Sequence, residues 1–275
     1  MNTGSILNIS AYKFVPLSAL PQWREQVQQQ AQAHGLKGTV LLAEEGINLF
    51  LAGLAQPVRA MLAWLRGQAG LHDLEAKESW SRSVPFRHLR VKVKREIIRM
   101  NHPAIQPATG RAASVDAATL ARWLAAGHDD AGQPVVMLDT RNAFEVDHGR
   151  FHGAIDWRID KFSDFPAAAL AHRDQLAGKT VVSYCTGGIR CEKAALVLRE
   201  LGLESVLQLD GGILRYLEQV PGAPHWVGQC FVFDGREVLD ERLAPAGPGV
   251  AQGPAGTKRA PPGGVAAALQ APQGG

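Results

Sequence analysis

The residues best suited to chemistry lie together in Val181-Val182-Ser183-Tyr184-Cys185-Thr186-Gly187-Gly188-Ile189-Arg190-Cys191-Glu192-Lys193. An apolar run ends in a cysteine, two glycines follow, and an arginine precedes a helical pattern continued by Ala194, Ala195, Leu196, Leu198 and Leu201. This predicts a strand, a tight loop and a helix, with Cys185 at the strand end. A thiol so placed sits among backbone N–H groups, at a helix N-terminus and beside the Arg190 guanidinium. Helix ends and N–H nests stabilise anions, and such surroundings lower a thiol pKa from about 8.5 toward roughly 3.5–7.5. Cys185 is therefore expected to be a reactive thiolate. Arg190 would polarise developing charge, and Thr186, Gly187, Gly188 and Ile189 would form the loop around the sulfur. Cys191 reads either as a resolving thiol or as a buried residue of the helix. The competing reading of Cys185 is inert packing, which the glycine loop disfavours.

The elements that must carry this loop alternate between strand and helix. Val135 to Leu138 reads as a strand running into Asp139-Thr140-Arg141, Lys179–Tyr184 as the strand before the loop, and Val206–Leu209 as another. Helices are predicted over 115–126 with Ser114 as cap, near 166–176, over 192–201 and over 213–219. Such alternation implies a doubly wound parallel sheet with helices on both faces. Cys185 then falls at the carboxyl end of a strand, where open α/β sheets bind ligands. This α/β domain is expected over 115–220, after a linker at 101–114 containing Pro103, Pro107 and Gly110. A hairpin segment at 221–243 follows, turning at Asp234-Gly235, in which Cys230 reads as packing. Residues 244–275 form a Pro/Gly/Ala-rich stretch expected to be disordered.

Residues 1–100 read as a separate α+β module in the order βαββαβ, a ferredoxin-like (acylphosphatase-like) sandwich. A strand over 6–15 is followed by a helix over 21–34 with Ser18 as cap. A hairpin at Glu44-Glu45-Gly46, a helix over 57–71 and a strand near 74–81 complete it. Its last strand, Phe86-Arg87-His88-Leu89-Arg90-Val91-Lys92-Val93-Lys94-Arg95, is basic. Side chains alternate along a strand, so Val91 and Val93 are expected to face the core while Arg90, Lys92 and Lys94 line the other side. Lysines of this kind also protect solvated edge strands from aggregation. Between Lys77 and Arg99, however, eight Lys/Arg oppose only Glu78 and Glu96, in a chain of net charge +3. That asymmetry points to a polyanion partner.

At 275 residues with 46% hydrophobic composition, two domains with ordinary cores are expected. No apolar run is long enough to span a membrane, and the amino terminus has no secretory pattern. Three cysteines without a C-x-x-C pair indicate neither a disulfide framework nor a thiolate zinc site and fit a reducing cytoplasm. His148 and His152 are four apart, but Gly149 and Gly153 break the helix that would pair them, so no metal site is assigned. Oligomeric state has no signal.

Asp139-Thr140-Arg141, Glu145, Gly153-Ala154-Ile155, Cys185-x4-Arg190 and Asp210-Gly211-Gly212 together resemble a rhodanese domain. With the amino-terminal Glu44-Glu45-Gly46-Ile47-Asn48, the fuller loop Cys185–Lys193 and the trailing Cys230-Phe231-Val232-Phe233-Asp234, the chain resembles the rhodanese-domain tRNA uridine(34) hydroxylases over roughly residues 6–243. The resemblance implies hydroxylation of the wobble uridine to 5-hydroxyuridine, with Cys185 required, molecular oxygen as co-substrate and no cofactor recognised. It implies tRNA, through its anticodon arm, as the partner, and it casts Asp139 and Arg141 as braces of the loop. Cysteine-dependent phosphatases place five residues between Cys and Arg, whereas this loop has four. A rhodanese-type sulfurtransferase carrying a persulfide on Cys185 is the principal alternative, but it leaves the basic first module without a task. A regulatory protein with a vestigial rhodanese fold fits poorly with an intact Cys and Arg.

Overall fold

Alternating apolar and polar residues give each strand of the first sheet two different faces. The computed structural model describes residues 5–246. In β1 (Ile6–Phe14), Leu7, Ile9 and Ala11 join a buried cluster, while Asn8, Ser10 and Tyr12 point the opposite way. After α1 (Leu20–Ala33) come β2 (Lys37–Ala43), β3 (Gly46–Leu54), α2 (Ala55–Arg66), β4 (Ala76–Ser81) and β5 (Leu89–Val93). The sheet order is β4-β1-β3-β2-β5, antiparallel except where β5 lies parallel to β2 at the edge. Val27 and Ala31 of α1 and Val58, Met61, Leu62 and Leu65 of α2 cover the apolar face. The βαββαβ order is observed through β4, and β5 adds a fifth strand at the sheet edge.

Local details differ from expectation. Ser18 does not cap α1; Ala19 precedes the helix in a left-handed conformation (φ 52°) with no side-chain cap, and proline occupies the first turn. The second helix ends at Arg66 rather than Leu71, stopped at Gly67. Val91 is buried as expected, but Val93 is 41% exposed, because the strand ends there at an uncovered edge.

The second half is built on β6 (Ser114–Val115), α3 (Ala117–Ala126), β7 (Val135–Asp139), α4 (Ala143–Val146), β8 (Gly149–Phe151), β9 (Ile155–Asp156), α5 (Phe165–His172), β10 (Thr180–Tyr184), α6 (Ile189–Glu200), β11 (Val206–Leu209), α7 (Gly212–Gln219), β12 (Trp226–Gly228), β13 (Cys230–Phe231) and β14 (Val238–Leu239). Its main sheet runs β6-β11-β10-β7-β9, with every pairing parallel. Successive residues of β10 divide between two cores. Val181 packs with residues of α5 and α6, and Val182 with residues of α3 and α7. Helices therefore cover both faces, as the pattern predicts. Ser114 lies in β6 and is not the cap of α3; Asp116 is, accepting from the Thr119 N–H at 2.9 Å. The helix after the cysteine loop starts at Ile189, earlier than the expected Glu192.

Residues 101–113 contain no helix or strand, yet Ile105 and Ala112 are buried in the second core. The hairpin predicted near Asp234-Gly235 is present as β13 and β14. It reaches back to the first half: the Gly235 N–H donates to the Pro85 carbonyl at 2.9 Å, and Arg236 Nη1 donates to Ser79 Oγ at 2.7 Å. The stretch expected to be disordered starts at 244, but the Ala244 carbonyl accepts from the Asp240 N–H and the Ala246 N–H donates to the Val238 carbonyl; residues 247–275 lie outside the described residues. No helix among the described residues is long and apolar enough to cross a membrane.

Candidate active site

Cys185 stands at the carboxyl end of β10, and α6 begins four residues later, so the loop between them is very short. The Gly188 N–H donates to Cys185 Sγ at 3.1 Å. Two glycines make the loop fit. Gly188 has φ +97°, and a side chain there would meet the Tyr12 hydroxyl. Gly212, with φ +68°, lies against the back of the loop, where a Cβ would sit 2.4 Å from the Cys185 carbonyl oxygen. Burial pushes the Cys185 thiol up, but a hydrogen bond from Cys191, the Arg190 charge and the Arg190 and Gly188 amides outweigh it and bring it down to about 5. Burial and the neighbouring Cys185 drive Cys191 the other way, well above the ordinary thiol range. Burial likewise pushes Cys230 up to about 12, in keeping with a packing role.

Arg190 does not stand free beside the sulfur. Its Nη1 and Nη2 donate to the two carboxylate oxygens of Glu145 at 2.6 and 2.7 Å, and both side chains are buried. Glu145 sits on α4 and also accepts from the Asn142 N–H at 3.1 Å. Behind this pair, Arg141 is wholly buried. It binds Asp139 through Nε and Nη2 and donates to the Gly149 carbonyl at 2.6 Å. Asp139 and Arg141 thus tie the end of β7 to the start of β8, and neither lines the cavity beside the sulfur.

A thiol at the open end of a sheet is expected to reach solvent, whereas Cys185 has no solvent-exposed surface. The reason is the first half of the chain, whose polar sheet face lies over the loop. Between the two is a cavity of about 420 Å³, within the size range of small-ligand sites. Cys185, Thr186, Gly187, Ile189 and Arg190 form one wall, and Tyr12, Phe50 and Phe86 stand among the residues of the facing wall. Lys77 ties the first sheet to the loop itself. Its Nζ donates to the Gly187 carbonyl at 2.9 Å and lies 4.8 Å from the centre of the Tyr12 ring. Burial, then the Arg215 charge, lower Lys77 to about 8. The Tyr12 hydroxyl donates to Glu192 at 3.1 Å. Lys193, 2% exposed, donates to Glu45 at 3.0 Å and Glu96 at 2.7 Å.

The basic strand occupies a defined place. Arg90 and Lys92 are exposed and pair in register with Thr39 and Leu41 of β2. Parallel partners share a face, and Leu41 lines the cavity. Arg90 and Lys92 therefore lie on the cavity side of the first sheet, and Lys94 lines the cavity itself.

Residues 6–97 match the UPF0176 acylphosphatase-like domain, and residues 120–219 match the rhodanese-like domain. A tRNA uridine(34) hydroxylase of Bordetella petrii is 65% identical over 243 residues, covering 88% of this chain and 96% of the relative. The protein of the same name from Variovorax paradoxus is 64% identical, covering 87% and 90%, and that of Delftia acidovorans is 61% identical with the same coverage. The chain belongs to the tRNA uridine(34) hydroxylase family.

The segments that carried the resemblance to this family meet in space. Glu45 of the amino-terminal Glu44-Glu45-Gly46 turn holds Lys193 of the extended loop, and Ala43, Ile97 and Ile189 form a small apolar cluster at the same junction. Tyr12, Lys77 and the pairing of Glu145 with Arg190 were not singled out from sequence. Only the charge run from Lys77 and the presence of Glu145 in the rhodanese pattern were there to be read. Replacing Lys193 with methionine should weaken this junction by about 2 kcal/mol, the usual scale for a charged hydrogen bond. Limited trypsin digestion should then cut faster at Arg95, Arg99 and Arg111 than elsewhere. Unchanged cutting there would show that the junction does not depend on Lys193.

Proposed function

We propose that this chain converts the wobble uridine of tRNA to 5-hydroxyuridine, with molecular oxygen as co-substrate and Cys185 as the nucleophile. The observation that carries this reading is Cys185 on the wall of a base-sized cavity whose facing wall includes Tyr12, Phe50 and Phe86. Single-stranded loops are the usual targets of base chemistry because their bases can be splayed out and stacked on aromatic side chains. A uracil entering against Tyr12, Phe50 and Phe86 would bring its ring to the sulfur. Addition of the thiolate to C6 makes C5 electron-rich and able to take oxygen, and elimination of the sulfur then restores the ring. Arg190 and the Gly188 N–H favour the sulfur as an anion both before addition and on its departure.

The decisive assay incubates the full chain with unmodified tRNA and identifies the nucleoside by exact mass. Adding oxygen and exchanging oxygen for sulfur change mass almost equally, so the resolution must separate them. 5-Hydroxyuridine is the expected product; thiouridine would establish the sulfurtransferase instead.

Arg90, Lys92 and Lys94 are proposed to hold anticodon-arm phosphates. Charge reversal at Arg90 and Lys92 should weaken tRNA binding and flatten its dependence on salt, by roughly 0.7–0.9 in log–log slope for each phosphate left without its cation. An unchanged slope would remove β5 from the binding surface.

A further inference from the structure

Two fully buried thiols flank Gly188. Cys185 ends β10, Cys191 lies in the first turn of α6, and Gly188 joins them. The N–H of Gly188 donates to Cys185 Sγ, and its carbonyl accepts from the Cys191 N–H, both at 3.1 Å. The Thr140 hydroxyl links the two positions: it donates to the carbonyl of Tyr184, the residue before Cys185, at 2.9 Å and lies 3.8 Å from Cys191 Sγ. Cys185 lines the cavity.

Hydroxylation by molecular oxygen puts one oxygen atom on the base and releases the other as water, which requires two electrons and two protons. We propose that Cys185 and Cys191 supply both, closing to a disulfide in each turnover that a small external thiol then reopens through the cavity. This rests on the hydroxylase reading above. In the balanced sequence, oxygen joins C5 of the Cys185 adduct as a hydroperoxide. Its O–O bond breaks as Cys191 takes the distal oxygen to become a sulfenic acid, leaving a hydroxyl on C5. Loss of the C5 hydrogen as a proton expels Cys185 from C6. The freed thiolate attacks Cys191, the S–O bond breaks, and water leaves as the S–S bond forms. Uridine, oxygen and two thiols thus give 5-hydroxyuridine, water and one disulfide.

The test uses the full chain, reduced and then freed of thiol, mixed with unmodified tRNA in air-saturated buffer. The expected result is a burst of about one 5-hydroxyuridine per chain followed by arrest, with turnover resuming when dithiothreitol reopens the disulfide. Trypsin cuts after Arg190, so under non-reducing conditions a disulfide would hold segments 180–190 and 191–193 together, and its yield should track product. Cys191→Ser keeps a hydrogen-bond donor beside the sulfur. Iodoacetamide should therefore still modify its Cys185 with the parent pH profile, while the thiol-free burst disappears. A full burst from Cys191→Ser, or product without the linked peptides in the parent, would overturn the redox pair and leave hydroxylation standing. Absence of 5-hydroxyuridine with every reductant would instead overturn the hydroxylase reading itself.

Discussion

Cys185→Ser is expected to abolish 5-hydroxyuridine formation, with a fall of at least about 10³-fold, since removing a catalytic nucleophile costs this much or more in other enzymes. Serine is nearly the same size and keeps the Gly188 contact, so the fold should survive. What disappears is the anion. Two forces compete at this sulfur: burial opposes charge, while Cys191, Arg190 and the Arg190 and Gly188 amides favour it and win. The consequence is measurable without substrate. The Cys185 pKa is lowered, so its thiolate dominates above pH about 5. Its modification by iodoacetamide, followed by peptide mass, should be nearly flat from pH 6 to 8 and fall below about 5, because only the thiolate reacts. An unfolded control should rise toward the ordinary thiol midpoint near 8.5. A folded midpoint near that value would remove the nucleophile. Cys230→Ser is the matched comparison. That residue is buried and its thiol is pushed up to about 12, so turnover should stay close to that of the parent.

A comparably large effect, on stability this time, is expected from Glu145→Gln. Arg190 and Glu145 form a two-pronged ion pair with 6% and 0% side-chain exposure. Removing one partner leaves a buried charge uncompensated, which costs about 3–5 kcal/mol. For a chain of this size each kcal/mol lowers Tm by about 2–4 °C, so calorimetry should show a fall of roughly 6–20 °C. Replacing both residues by methionine removes the charge and its partner together and should recover most of that loss. The double variant separates the two roles of Arg190. If its charge also holds the thiolate, the iodoacetamide midpoint of Cys185 should move upward although the protein is again stable. A midpoint unmoved in the double variant would confine Arg190 to bracing α4 against α6.

The fold class and the thiolate were legible because their determinants are local. Alternating and continuous apolar runs mark the strands, and nine consecutive residues from Cys185 to Lys193 contain the sulfur, its amide donors, the arginine and the second thiol. Helix starts were less legible. Ser18 and Ser114 are favourable cap types, but Ser114 is drawn into β6 by pairing with β11, and Asp116 is left to cap α3. A strand partner more than ninety residues away in the chain can thus override a helix beginning at the very next residue.

Residue order alone was enough to place Cys185 as an anion between a strand and a helix, and to put a basic strand in another module. That the modules face each other emerged only from the packed molecule. Lys77 reaches Gly187 across 110 positions, Tyr12 reaches Glu192 across 180, and Glu45 reaches Lys193 across 148. These contacts enclose Cys185 in a cavity instead of leaving it at an open sheet end. A thiol's charge is set mainly by its nearest amides and ions, which neighbours in sequence can supply. Enclosure requires a second surface, and its register on the first is fixed by buried polar partners that chain order does not bring together.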